Sequence, residues 1–164
     1  MKTNTDDNYT SKIQTADAAV RMIRGGQRIF IGSSCGEPQR LVEALMNNGT
    51  YYSDVEIVRL LSVEGSLLAL MADEYRGHTF NLRSIYQGSD QTTGLRANKR
   101  FITPMNLCAV PNLFKKRLFP LHVALIQVSP PDEHGWMSLG ISVDVTLSAA
   151  QSADMVIAQV NPKM

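Results

Sequence analysis

Val123-Ala124-Leu125-Ile126-Gln127-Val128 and Met155-Val156-Ile157-Ala158-Gln159-Val160 are two short, almost continuously apolar runs that bracket a segment predicting a helix around 145–152. Strands without polar alternation are buried on both faces, as a parallel sheet covered by crossover helices requires. The two runs therefore set the expected fold class, α/β with a mostly parallel sheet flanked by helices. Upstream, Thr15 is placed to cap a short helix with Ala16, Ala19, Val20 and Ile23 on one face. A strand over Arg28–Ile31 follows, then Gly32-Ser33-Ser34-Cys35-Gly36-Glu37-Pro38, then a helix marked by Leu41, Val42 and Leu45 with Pro38 as its first residue. Further strands are expected over Val55–Leu61 and, less buried, Phe80–Tyr86, with a helical segment at Leu67–Met71 and a loop over Gln87–Gly94. Leu113, Phe114 and Leu118 predict the apolar stripe of another short helix, with Lys115, Lys116 and Arg117 on its solvent side.

The 164 residues suffice for one well-buried core, read as a domain over 15–164 after a polar leader over 1–14. A net charge of +1 lacks the positive field of a nucleic-acid surface, so no nucleic-acid partner is expected. Two cysteines make no disulfide scaffold, the first residues lack the apolar stretch of a secretion signal, and no run approaches a membrane span. The expectation is a cytoplasmic protein with no membrane partner. Asn161-Pro162-Lys163-Met164 follows directly on a strand expected to be central, without a helix to cover it, which predicts either that the sheet ends there or that the sequence is a piece of a longer chain.

Gly32–Pro38 lies where open α/β sheets place ligands, beyond the carboxyl end of a strand and at a helix start. Gly32 and Gly36 permit close backbone approach, so the loop either lines a site or is a tight turn. It is neither G-x-G-x-x-G nor a Walker sequence, which argues against nucleotide binding by those devices. Cys35 reads as a nucleophile beside a helix start or as a small buried side chain; Cys108 reads as core. Pro130 to Gly140 gathers Asp132, Glu133, His134, two glycines and Trp136 after an apolar strand. It is either a ligand-edge loop, with His134 donating and Glu133 acting as a base, or a rigid loop in which Asp132 or Glu133 fixes the histidine ring over Trp136. No metal site is expected, because the ligand spacing is wrong. Arg96, Lys99 and Arg100 read as phosphate contacts or as a solvated face.

The stretch Val123 to Gly135, continued by Ser138-Leu139-Gly140-Ile141-Ser142-Val143-Asp144, resembles the signature of the N-terminal domain of the acetyl-CoA hydrolase/transferase family, which includes 4-hydroxybutyrate CoA-transferases. Gly32–Pro38 with Leu41–Leu45, the strand Asp54–Leu60 and Ala153–Pro162 are similar to the same domain in the same order. The resemblance implies a CoA-transferase-like fold of the NagB/RpiA/CoA-transferase type, here an incomplete N-terminal half. It further implies acyl-CoA:carboxylate exchange through an acyl-glutamyl anhydride and a glutamyl-CoA thioester. The nucleophilic glutamate belongs to the absent C-terminal half, so neither Glu37 nor Glu133 inherits that role, no catalytic residue is assigned, and the isolated piece is expected to be inactive. This half is expected to supply a wall of the acyl and carboxylate pocket from Gly36, Glu37 and Pro38, with positioning by His134 and Gly135. Coenzyme A enters as substrate, with no tightly bound cofactor and CoA-binding residues unassigned. The implied partners are acyl-CoA, a short carboxylate, the C-terminal half and a second copy in a homodimer. The alternatives are an acetyl-CoA hydrolase of the same family, a non-catalytic acyl- or anion-binding or interaction module, and a Cys35 hydrolase.

Overall fold

The computed structural model describes residues 9–60, 80–85 and 100–164. Strands β1 (Arg28–Ile31), β2 (Val55–Arg59), β3 (Phe80–Ser84), β4 (Arg100–Ile102), β5 (Val123–Val128) and β6 (Met155–Val160) form one sheet in the order β4-β3-β2-β1-β5-β6. Every neighbouring pair is parallel. Helices α1 (Ala16–Val20) and α2 (Gln39–Asn47) pack on one face, and α3 (Val110–Lys115) and α4 (Thr146–Ser152) on the other.

The period of two in a strand accounts for the two cores. On β5, Val123 and Leu125 face α1 and α2, whereas Ala124, Ile126 and Val128 face α3 and α4. All five are buried, so β5 is apolar throughout because both of its faces are covered. Helix α2 presents Leu41, Val42, Ala44 and Leu45 to the first core, a spacing that follows the helical turn. Each fully buried leucine or valine contributes roughly 1.5–3 kcal/mol relative to exposure. Thr15 caps α1 as its sequence position predicts, its hydroxyl accepting the Ala18 N–H at 3.2 Å.

Several expectations are corrected. Strand β6 has β5 as its partner and forms one edge of the described sheet, leaving Val156 44% exposed and Ala158 exposed rather than buried on both faces. Helix α2 starts at Gln39, with Pro38 outside it as the capping residue. Leu118 is 71% exposed, because α3 ends at Lys115 and the chain turns back through a left-handed Arg117. The N–H groups of Arg117 and Leu118 donate to the Phe114 and Leu113 carbonyls, the paired bonds of a Schellman stop. Cys108 is exposed on a short 3-10 turn rather than in the core. Strand β4, which includes Arg100, was not expected. Leu61, Leu67–Met71, Tyr86, the Gln87–Gly94 loop, Arg96 and Lys99 lie outside the described residues.

The α3 face of the sheet also holds an ion cluster. Glu56 accepts from Arg28 Nε and Arg83 Nε, both at 2.5 Å, and the Arg28 guanidinium lies 4.0 Å from the centre of the Phe119 ring. Burial pushes the Glu56 carboxyl up, but the hydrogen bonds and charges of the two arginines outweigh it and hold the group below the usual carboxylate range.

Candidate functional site

From β1 the chain moves outward through β2, β3 and β4, then returns to the other side of β1 to form β5. The adjacent carboxyl ends of β1 and β5 are thus the switch point of the sheet, the place where open α/β sheets bind ligands. The loop after β1 and the loop after β5 are the two segments that sequence reading singled out.

The β1 loop is tightly folded. Its Gly32 N–H donates to the Leu125 carbonyl at 2.9 Å, carrying the β1–β5 pairing one residue beyond the strand. Ser34 adopts a left-handed φ of 53°, and the Gly36 and Glu37 N–H groups donate to the Ser33 and Ser34 carbonyls at 2.9 and 3.1 Å. A side chain at Gly32 would meet the Gly36 carbonyl oxygen at 2.7 Å, and one at Gly36 would lie 3.2 Å from Ser142 Cβ. These contacts explain both glycines. Gly36 and Pro38 are buried, and Glu37 is 2% exposed with its carboxylate accepting from Gln39 Nε2 at 3.0 Å. Cys35 is exposed rather than packed as a small buried side chain.

Long-range polar contacts hold this loop. The Ser33 hydroxyl donates to Asp144 Oδ2, while Asp144 Oδ1 accepts from the Val145 N–H, from the Thr146 N–H at 3.0 Å and from the Thr146 hydroxyl at 3.1 Å. On the α1/α2 side, Gln127 Nε2 donates to the Cys35 carbonyl at 3.3 Å, Gln159 Nε2 to Gln127 Oε1 at 3.0 Å, and the Arg40 N–H to Gln159 Oε1 at 2.8 Å. Ser33, Gln127, Asp144 and Gln159 were not singled out from the sequence. For the glutamines a signal existed, since each is the polar interruption of an apolar strand, and the register places them opposite each other.

The β5 loop is organised by itself. Ser129 and Ser138 pair through the Ser129 N–H to the Ser138 carbonyl and the Ser138 N–H to the Ser129 hydroxyl, both at 2.9 Å. Inside that pair, Asp132 Oδ1 accepts the His134 and Trp136 N–H groups at 2.9 and 2.8 Å. The Asp132 carboxylate therefore fixes main chain rather than the imidazole, which has Glu133 beside it instead, and Trp136, at 75% exposure, does not pack beneath a ring. His134 Nε2 stands 3.6 Å from Glu133 Oε1, both side chains exposed. The residues that bring this connection to the β1 loop are Ser142 and Asp144; His134 and Gly135 lie at the exposed tip. His122 immediately precedes β5, its Nδ1 accepting the Arg28 N–H at 2.9 Å. Among the described residues, no three His, Cys, Asp or Glu side chains converge as a metal-ligand group, and no helix is long and apolar enough to cross a membrane.

A parallel sheet with a glycine-bearing loop at its switch point, tied to the connection of the adjacent strand, is an α/β ligand-binding architecture, and likeness to a solved CoA-transferase makes the domain CoA-transferase-like. A solved 4-hydroxybutyrate CoA-transferase from Porphyromonas gingivalis superposes with a TM-score of 0.73 at 26% identity, covering 97% of this chain and 35% of that one. The chain belongs to the acetyl-CoA hydrolase/transferase family, whose N-terminal domain model matches residues 1–164. It is 36% identical over 157 residues to 4-hydroxybutyrate coenzyme A transferase of Clostridium kluyveri, covering 95% of this chain and 36% of that protein. To the succinyl-CoA:acetate/propanoyl-CoA:succinate CoA transferase of Fasciola hepatica it is 31% identical, over 90% of this chain and 30% of that protein. The chain thus spans about a third of the length of these curated relatives.

Proposed function

We propose that residues 15–164 form the N-terminal domain of an acyl-CoA:carboxylate CoA-transferase of the acetyl-CoA or 4-hydroxybutyrate type, whose nucleophilic glutamate lies outside this chain. A glutamate oxygen attacks the thioester carbonyl and expels CoA thiolate, leaving an acyl-glutamyl anhydride. The thiolate attacks the glutamyl carbonyl of that anhydride, which releases the first carboxylate and forms glutamyl-CoA. An incoming carboxylate attacks this thioester, giving a new anhydride and free thiolate, and attack of the thiolate on the new acyl carbonyl returns acyl-CoA and the free glutamate. The anhydride conserves the energy of the thioester, so each step is reversible.

In this reading Gly36, Glu37 and Pro38 form one wall of the acyl and carboxylate pocket, with His134 and Gly135 on the opposing loop and coenzyme A as substrate rather than resident cofactor. Its principal support is the meeting of the β1 loop with the β5–α4 connection at the switch point, in a chain 36% identical to a 4-hydroxybutyrate CoA-transferase. The reading places the working protein in the cytoplasm as a homodimer, with the 164-residue piece inactive alone. Full-length protein assayed with acetyl-CoA and a panel of short carboxylates should yield the corresponding acyl-CoA and free acetate. Acetate release with no acyl-CoA formed from any acceptor would instead favour a hydrolase, and no thioester chemistry at all would leave a binding module.

A further inference from the structure

We infer that Ser33 and Asp144 are a positioning pair that holds the Gly36–Pro38 wall in place against the β5–α4 connection, a role that rests on the transferase reading of that wall. Local contacts at the start of α4 occupy Asp144 Oδ1, which takes donors from Val145 and Thr146. Oδ2 is left over, and it reaches Ser33 in a loop 111 residues earlier. The local contacts at the start of α4 need no such reach. Ser33 is fully buried, and its carbonyl accepts the Gly36 N–H at 2.9 Å, so the hydroxyl that Asp144 holds and the carbonyl that sets Gly36 belong to one residue. Displacing Ser33 therefore displaces Gly36 and Glu37. Unusual backbone lies at one end of the link, Asp144 at φ 26°, and next to the other, Ser34 at φ 53°, conformations that persist only where surrounding contacts enforce them. Gly36 closes the same junction from the other side by packing on Ser142.

Neither residue touches the reacting atoms in this scheme, so the test must separate positioning from general stability. In full-length protein, Ser33→Ala removes the hydroxyl and leaves the contacts of Asp144 Oδ1 at the start of α4 intact. Asp144→Ser keeps a side-chain oxygen there but is too short to reach Ser33. Each substitution should lower kcat/KM for the acceptor carboxylate about tenfold, since small misplacements of a binding wall are costly. The double variant should be no worse than either single one, because both remove the same link. Amide exchange over residues 32–38 should accelerate about tenfold, the worth of one charge-assisted hydrogen bond, while residues 123–128 stay unchanged. Additive losses, or unchanged exchange over 32–38, would overturn the pair. If the unsubstituted full-length protein exchanges no CoA, the transferase reading fails, whereas the amide-exchange result still decides whether the link holds the loop.

Discussion

The two loops at the switch point are built in opposite ways. The β1 loop is held by partners far away in the chain: Asp144 lies 111 residues from Ser33, Gln127 lies 92 from Cys35, and Gln159 lies 119 from Arg40. The β5 loop is held by partners close in sequence, two and four residues apart around Asp132 and nine apart between Ser129 and Ser138. A loop closed by its own residues keeps its shape whatever happens elsewhere, whereas one tied to distant elements reports on the whole sheet. The difference predicts which loop transmits a perturbation and which absorbs it.

The largest effect should follow a side chain forced into the distant-contact loop. Gly32→Val places a Cβ 2.7 Å from the Gly36 carbonyl oxygen, a backbone atom that must move. The expected loss is about 3 kcal/mol of unfolding free energy, at the upper end of overpacking costs, measurable by urea denaturation. A loss below about 0.5 kcal/mol, the range of ordinary surface substitutions, would mean the loop is less constrained than its contacts imply.

The Glu56 cluster is another distant-contact feature, joining residues 28 and 27 positions away. Because the Glu56 carboxyl is held below its unfolded value, its stabilisation is fully present above the unfolded value of about 4.3 and is lost as pH falls through the lowered native one. The denaturation midpoint should therefore drop with acid from about pH 5 downward. Glu56→Gln should be less stable at neutral pH and show a flatter acid limb. An unaltered acid limb in that variant would remove Glu56 from the account.

Smaller again is the effect expected in the self-contained loop. Asp132→Ala deletes the acceptor of two N–H groups at an exposed site, where water can replace it, and should cost about 1 kcal/mol. Its amide-exchange increase should stay within residues 129–138; spread to residues 32–38 would break the contrast between the loops. The smallest effect is that of His134→Ala, whose exposed contact with Glu133 should be worth less than about 0.5 kcal/mol.

The same distinction decides what could be read from the sequence. Thr15, the β1 strand, the α2 stripe and the position of both loops follow from spacing within a few residues, and each appears as expected. Strand β6 has almost the same composition as β5, yet one is an edge and the other central, because the order of strands is set by pairing that neither run encodes locally. In the sequence Asp144 is the last residue of a motif-like stretch and Gln127 one polar residue in an apolar run. Their partners lie about a hundred positions away, beyond the reach of periodicity. Asp132 shows the converse limit: a carboxylate in a turn satisfies nearby main-chain N–H groups before it orients a side chain. His134 was therefore left at an exposed tip.

The central claim is that this domain supplies a wall of the site while the nucleophile comes from elsewhere in the protein. Trapping the covalent intermediate tests it most directly. Full-length protein incubated with acetyl-CoA and then reduced with borohydride, which converts an enzyme-bound glutamyl thioester to an alcohol, can be digested and mapped by mass spectrometry. The account predicts one modified glutamate, located outside residues 1–164. Modification of Glu37, Glu133 or any other glutamate within those residues would contradict it.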